Sequence, residues 1–263
     1  MAVMDNSVSL ASLMELLHGV EQRELFVDYQ AVFDVGTGAV RGAEALIRWH
    51  HPQKGVLPPA EFLAMAMRGG LGGLITDVVL EEAVAQCAEW RILGYDVPVS
   101  VNVSAAAFAG SDLPGTIEKV LARYDVPPDR LTVEVTEHAC EFANHALRDT
   151  FTALARMGVR LSLDDFGMGD SSLSRLQQLH FDEVKIDRSF IAHVCSEPTD
   201  RNIVMFTTRL AHSLGMKVVA EGVEDTDVLA AVSELGPDLA QGFHLHRPSS
   251  PGDFPCLGTP DRL

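Results

Sequence analysis

This 263-residue chain is short of several things. No apolar run reaches the roughly 20 residues that a membrane-spanning helix needs, so a membrane is not an expected partner. The first residues show no basic segment followed by an apolar one, so no signal peptide is expected and a cytoplasmic location is. Cysteine is sparse. Cys87, Cys140, Cys195 and Cys256 stand far apart with no C-x-x-C pair, which argues for reduced, mostly structural thiols. Basic residues number 20 against 37 acids, for a net charge of −17. No Lys/Arg cluster offsets that balance, so a nucleic-acid polymer is not an expected partner, and a phosphate substrate would need cations to offset the repulsion. The glycine segment Gly69-Gly-Leu-Gly-Gly73 lacks the G-x-G-x-x-G spacing and is given no phosphate role. Linkers, internal repeats and low-complexity stretches are missing too. The 47% hydrophobic content is ample for one core, so residues 1–263 read as one domain, with 1–20 a leading helix and 249–263 an irregular tail.

What is present is alternation. Residues 24–34 and 39–49 read as two strands around a Gly36-Thr-Gly38 turn, a hairpin. Ala60–Arg68 reads as a short helix that the glycine segment interrupts, and the next helix carries Ile75, Val79, Ala83, Cys87 and Trp90 on one face. Strands then follow at Val97–Val103, Leu131–Val135, Val159–Leu163, Glu183–Ile186, Lys217–Ala220 and Leu239–Phe243. Between them lie helical patterns built on Ile117, Val120 and Leu121, on Leu147, Phe151 and Leu154, on Leu173–Leu179, on Ile203, Phe206, Leu210 and Leu214, and on Val228–Leu235. Such repetition predicts a parallel sheet with helical crossovers, and at this count a closed α/β barrel of the (β/α)8 type rather than an open sheet. The opening hairpin predicts a modified barrel whose first strand runs antiparallel to the rest.

Polar residues mark the carboxyl ends of these strands. Glu44 stands in the second strand, with Arg48 further on. Then come Asn102, Glu134 with Glu137, Asp164 with Asp165, Lys185 with Asp187, Glu221 with Glu224, and Gln241. In barrel enzymes the active site is built at that face from the ends of several strands. Each residue has a plainer role open to it: Asp164-Asp165 as a turn, Arg48 in a surface pair, Lys185 reaching solvent, Asn102 as a helix cap. Acids recurring at one strand end after another are harder to assign to turns, and packed together they would repel without cations among them. The donors are oxygens, with no histidine or cysteine among them, which suits Mg²⁺ or Mn²⁺ over Zn²⁺. Five acids are too many for one such ion, and two ions about 3.5–4 Å apart fit better, the arrangement of two-metal phosphate-ester hydrolysis. His244 and His246 form an H-x-H with no partner motif, so packing or solvent roles are assigned to them.

The motifs carry a family resemblance. Glu44-Ala-Leu46 within Gly42-Ala-Glu-Ala-Leu-Ile-Arg-Trp49 resembles the signature of the EAL domain, the cyclic di-GMP phosphodiesterase. Val101-Asn-Val-Ser104, Glu134-Val-Thr-Glu137, Asp164-Asp-Phe-Gly167, Val184-Lys-Ile-Asp187, Ala220-Glu-Gly-Val-Glu224 and Gln241-Gly242 follow in the family's order, and the likeness spans Leu25 to Pro248. The resemblance implies a modified TIM barrel that hydrolyses cyclic di-GMP to linear pGpG with Mg²⁺ or Mn²⁺. It implies that Glu44, Asn102, Glu134, Asp164 and Glu221 hold one metal and that Asp165, with Asp164, holds the second. Lys185 would orient the attacking water, and Glu221 is the family's candidate general base, ranked here below Lys185 and the ions. Gln30, Leu46, Arg48, Asp187 and Gln241 would line the substrate groove, Glu137 would hold the glycine loop after Asp165, and Glu224 would support the same region. A homodimer is implied as well.

The chain departs from the family pattern in four places. Met168 and Asp170 replace the small and aromatic residues usual in that loop, Ala31 follows Gln30 where proline is usual, and Ala66-Met-Arg-Gly-Gly-Leu71 replaces the usual segment. No metal ligand is altered, but Asp170 adds negative charge beside an acidic site. A catalytically weak or inactive domain, acting as a cyclic di-GMP receptor or a protein-interaction module, is the rival reading.

Overall fold

The computed structural model describes residues 10–110, 112–137, 139, 145–167 and 179–255. A leading helix α1 (Leu10–Glu21) precedes the hairpin strands β1 (Leu25–Asp34) and β2 (Val40–His51). There follow β3 (Gly55–Leu57), α2 (Pro59–Arg68), α3 (Gly72–Ile92), β4 (Val99–Asn102), α4 (Ala105–Gly110), α5 (Leu113–Tyr124), β5 (Leu131–Thr136), α6 (His145–Met157) and β6 (Arg160–Phe166). The chain continues through β7 (Glu183–Ile186), α7 (Arg188–Ile191), α8 (Pro198–Ser213), β8 (Lys217–Glu221), α9 (Thr226–Leu235) and β9 (Leu239–Gln241). Among the described residues no helix is long and apolar enough to cross a membrane.

The strands form one sheet in the order β1-β9-β8-β7-β6-β5-β4-β2-β3, and the β1–β2 pairing closes it into a barrel. β2 and β4 through β9 pair in parallel with one another. β1 is antiparallel to both of its neighbours, β2 and β9, as the opening hairpin predicts. β3 hangs on the outer end of β2 as a short antiparallel addition that the sequence reading did not foresee.

Barrel strands are covered on both faces, so they read as nearly unbroken buried runs. In β5, Leu131, Thr132, Val133, Glu134 and Val135 are all buried, so the acid in that run is a deliberate exception. The crossover helices start and stop where local chemistry dictates. Asp112 caps α5 by accepting from the Gly115 amide, and Asp225 caps α9 by accepting from the Val228 amide. Gly236 ends α9 in the left-handed conformation at φ 93°.

Two expectations need correction. The glycine segment does not end before α3 but runs into it: Gly72 and Gly73 are the helix's first residues. On α8 the predicted apolar face of Ile203, Phe206, Leu210 and Leu214 is not the packed one. Val204, Thr207, Thr208 and Ala211 are buried against the barrel, while Phe206 is 61% exposed. The smaller side chains face β7 and β8, Phe206 and Leu214 are turned outward, and Leu210 packs against the core in part. Of the helix expected over Leu173–Leu179 only Leu179 lies among the described residues, and it is buried.

Candidate active site

Side chains alternate along a strand, so every second residue of each barrel strand enters the interior. At the carboxyl end this rule brings one layer together. Pairing sets Gln30 opposite Glu44, Asn102 opposite Glu134, and Glu221 opposite Gln241. Asp164 and Lys185 complete the layer from β6 and β7.

Lys185 sits at its centre. Its side chain is 2% exposed, and Nζ lies 2.6 Å from Glu221, 2.9 Å from Glu134, 3.3 Å from Glu44 and 3.5 Å from Asp164. One ammonium thus faces four carboxylates. Amides fix the rest: Asn102 Nδ2 donates to Glu44 Oε1 at 2.9 Å, and Gln241 Nε2 donates to Glu44 Oε2 at 2.8 Å and to Gln30 Oε1 at 2.9 Å. Gln30 in turn donates to the His246 carbonyl at 2.9 Å.

The electrostatics follow from burial against pairing. Burial opposes ionisation of Glu44 most strongly, but Lys185, Gln241 and Asn102 together outweigh it and hold its carboxyl below the ordinary range. For Glu134 burial wins, and repulsion from Glu44 and Asp164 adds to it, against the pull of Lys185. Burial pushes Glu221 up to about 8 despite Lys185. Burial alone would lower Lys185, yet Asp164, Glu134, Glu221 and Glu44 hold it well above its usual value, so it is an ammonium ion.

Adjacent residues on a regular strand point to opposite faces, so Asp164 and Asp165 should diverge. They do not, because the β6–β7 register shifts between Leu163 and Phe166 and Asp165 adopts φ 56°. Aspartate tolerates that left-handed conformation better than most residues, at a cost of about 1–2 kcal/mol. The irregularity puts carboxylate oxygens of Asp164, Asp165 and Glu221 within 4.8 Å of one another, a group able to hold a metal ion. Burial, then repulsion from Asp164, pushes the Asp165 carboxyl up. Glu137, 2% exposed, accepts from the Gly167 amide at 3.2 Å and ties down the turn after Asp165.

Beside this ring lies a groove of about 680 Å³. Leu46, Asn102, Asp164 and Asp165 bound it on one side, and Leu63, Met67, Ile75 and Val79 of α2 and α3 form an apolar wall. The wall was missed in the sequence, since its residues come from two helices separated by glycines. Ser104 also lines the groove, and its buried hydroxyl has no partner among the described residues.

Other expected site residues stand apart from the ring. Arg48 Nε bonds Asp28 at 2.9 Å across the hairpin. Asp187 caps α7 by accepting from the Ser189 amide at 2.9 Å. Glu224 is exposed and makes no side-chain hydrogen bond or ion pair among the described residues. Met168 and Asp170 lie outside the described residues. His246 has a packing role: its Nδ1 accepts from the Ala31 amide, and its ring meets Phe254 edge-on.

Comparison with known proteins gives a consistent result. The family model described as EAL domain matches residues 13–248. The bifunctional diguanylate cyclase/cyclic di-GMP phosphodiesterase MucR of Pseudomonas aeruginosa is 38% identical over 240 residues, covering 91% of this chain and 35% of the relative. The cyclic di-GMP phosphodiesterase RocR of the same organism is 31% identical over 239 residues, covering 91% of this chain and 61% of the relative. The signaling protein YkoW of Bacillus subtilis is 37% identical over 249 residues, covering 31% of its own length. The chain therefore spans about a third of YkoW and MucR. Among solved structures, the PaMucR phosphodiesterase in complex with c-di-GMP superposes with a TM-score of 0.86 at 38% identity, covering 91% of this chain and 98% of that one.

Proposed function

The chain belongs to the EAL domain family, and from that premise we propose that it hydrolyses cyclic di-GMP to linear pGpG. The observation that carries this reading is the ring of Glu44, Glu134, Asp164 and Glu221 closed around Lys185, with Asp165 turned into it. Among the described residues the donors of this ring are oxygens, which fits hard divalent cations. Glu44, Asn102, Glu134, Asp164 and Glu221 would hold one Mg²⁺ or Mn²⁺, and Asp165 with Asp164 a second. Bound there, the ions would lower the pKa of a coordinated water and offset the charge of the phosphodiester.

The protein's own groups do the rest. Lys185 Nζ donates toward the oxygen of the attacking water and orients it. Glu221 Oε1, 2.6 Å from that ammonium, is placed to hold the proton the water gives up. The hydroxyl ends on phosphorus as the 5′-phosphate of pGpG, and the proton ends on the 3′-oxygen that leaves. Gln30, Gln241 and Leu46 border the reacting phosphate, and the apolar wall of Leu63, Met67, Ile75 and Val79 suits the face of a purine. Arg48 and Asp187 lie further out, where a planar guanidinium and a carboxylate can select phosphate and guanine edges.

A panel of phosphodiesters tests the substrate class: cyclic di-GMP, a cyclic mononucleotide and a linear dinucleotide, each with Mg²⁺ and with Mn²⁺. pGpG from cyclic di-GMP alone supports the reading, and turnover of the other compounds in preference to it refutes it. Met168 and Asp170 favour one alternative, a receptor that binds without turnover. Calorimetric binding of cyclic di-GMP with no product under either ion would establish that alternative.

A further inference from the structure

The barrel has a second opening. At the amino-terminal mouth, opposite the candidate active site, a well of about 330 Å³ runs down the axis and ends on Glu134 and Lys185. Its existence follows from the layers. In barrels of this kind the interior is normally filled by bulky branched side chains. Below the layer of Glu134 and Lys185, the strand alternation brings in Gly42, Ser100 and Thr132, which are too small to fill it.

The rim is basic, in a chain of net charge −17. Arg41, Arg130, Arg160 and Lys217 surround the opening, carried on four separate parts of the chain. Two are committed: Arg41 Nε to Asp34 at 3.1 Å and Arg130 to Asp96 at 3.1 Å. The others are not. Arg160 donates to the Asp129 backbone carbonyl at 2.6 Å and has no carboxylate partner, and Lys217 makes no ion pair, among the described residues. They flank Glu183, whose carboxylate accepts from Ser162 Oγ at 3.1 Å inside the well. Burial pushes that carboxyl up, against the pull of Lys185, Arg160 and Lys217. A concave pocket whose lip carries two cations outside any ion pair among the described residues suits an oxyanion.

We propose that the amino-terminal mouth of the barrel is a second ligand site, for a small phosphate-bearing anion held by Arg160 and Lys217 with a hydroxyl contact to Thr132. The site is independent of the hydrolytic reading and stands or falls apart from it.

Calorimetry tests it on the full chain, in a chelator-containing buffer of low ionic strength, with inorganic phosphate and ribose 5-phosphate as probes. The proteins are the wild type, Lys217→Glu, Arg160→Gln/Lys217→Gln, and Arg48→Ala as a control at the other face. Far-UV circular dichroism and thermal midpoints establish that each is folded, and exposed Lys217 is the safer substitution. Binding should survive in Arg48→Ala and weaken about tenfold or more in both mouth variants, since a charge-assisted hydrogen bond is worth about 1.5–3 kcal/mol. Tighter binding of ribose 5-phosphate supports a phosphate monoester as the occupant, and equal binding supports free phosphate. Absence of binding in the wild type, undiminished binding in Lys217→Glu, or loss in Arg48→Ala alone overturns the proposal.

Discussion

Replacing Lys185 by methionine probes the site without emptying it. The two side chains have similar length, so packing is retained while the ammonium is lost. That ammonium lies within 2.6–3.5 Å of four carboxylates and is 2% exposed, so solvent cannot substitute for it. Removing one partner of a buried ion pair costs about 3–5 kcal/mol. At about 2–4 °C per kcal/mol for a domain of this size, the divalent-free thermal midpoint should fall by about 6–20 °C at mildly alkaline pH. The sign with pH is fixed by the acids. Burial already raises Glu134 and Glu221, the latter to about 8, with Lys185 present. A carboxyl whose folded pKa lies above its unfolded value favours folding at low pH and loses that advantage as pH rises toward the folded pKa. The deficit of Lys185→Met should therefore shrink near pH 5 and grow toward pH 8. Adding Mn²⁺ should restore more stability to the variant than it adds to the wild type, because the cation no longer competes with an ammonium. Differential scanning calorimetry of both proteins, at both pH values and with and without Mn²⁺, reads all of this. A midpoint unchanged by the substitution, or a deficit equal at the two pH values, would refute the reasoning.

Other substitutions separate the parts of the site. Asp165→Asn keeps a side chain that tolerates φ 56° and removes one charge from a repulsive cluster. Its divalent-free midpoint should rise slightly while turnover of cyclic di-GMP falls about a hundredfold or more, the scale of a lost metal-centred contribution. Arg48→Ala should raise KM about tenfold or more, with kcat less affected, because a phosphate contact away from the reacting atoms contributes binding in ground and transition states alike. Equal losses in both parameters would place Arg48 in the chemistry instead. A Cβ at Gly242 would run into the backbone of Val223, which is not a flexible side-chain end. Gly242→Ala should cost about 1–3 kcal/mol, measured by urea unfolding, and should disturb the neighbouring Gln241.

How much of this was legible beforehand depends on the kind of signal. The closed barrel was readable because strands buried on both faces leave near-continuous apolar runs, and because a hairpin at the start forces β1 to run against its neighbours. The donors Glu44, Asn102, Glu134, Asp164 and Glu221 were readable as polar exceptions at the ends of those runs. The geometry that joins them was not. Nothing in the letters Asp164-Asp165 announces a register shift and a left-handed residue, yet without both the two carboxylates would point apart. Lys185 was assigned to the attacking water by family resemblance, but its contact with four carboxylates at the centre of the ring was not readable. The α8 face was misread because bulky apolar residues were given to the core. Val204, Thr207, Thr208 and Ala211 are the residues buried there instead. The apolar wall of the groove, which joins Met67 to Ile75, depends on how two helices meet across Gly69 and Gly72, a tertiary matter that periodicity does not contain.

The carboxylate ring around Lys185 is the proposed centre of cyclic di-GMP hydrolysis. The direct test is to incubate wild-type protein and Glu44→Ala with cyclic di-GMP, in Mg²⁺ and in Mn²⁺, and to quantify pGpG by chromatography. Linear pGpG from the wild type and none from folded Glu44→Ala is the predicted result. No pGpG from the wild type under either ion, or undiminished turnover by Glu44→Ala, would contradict it.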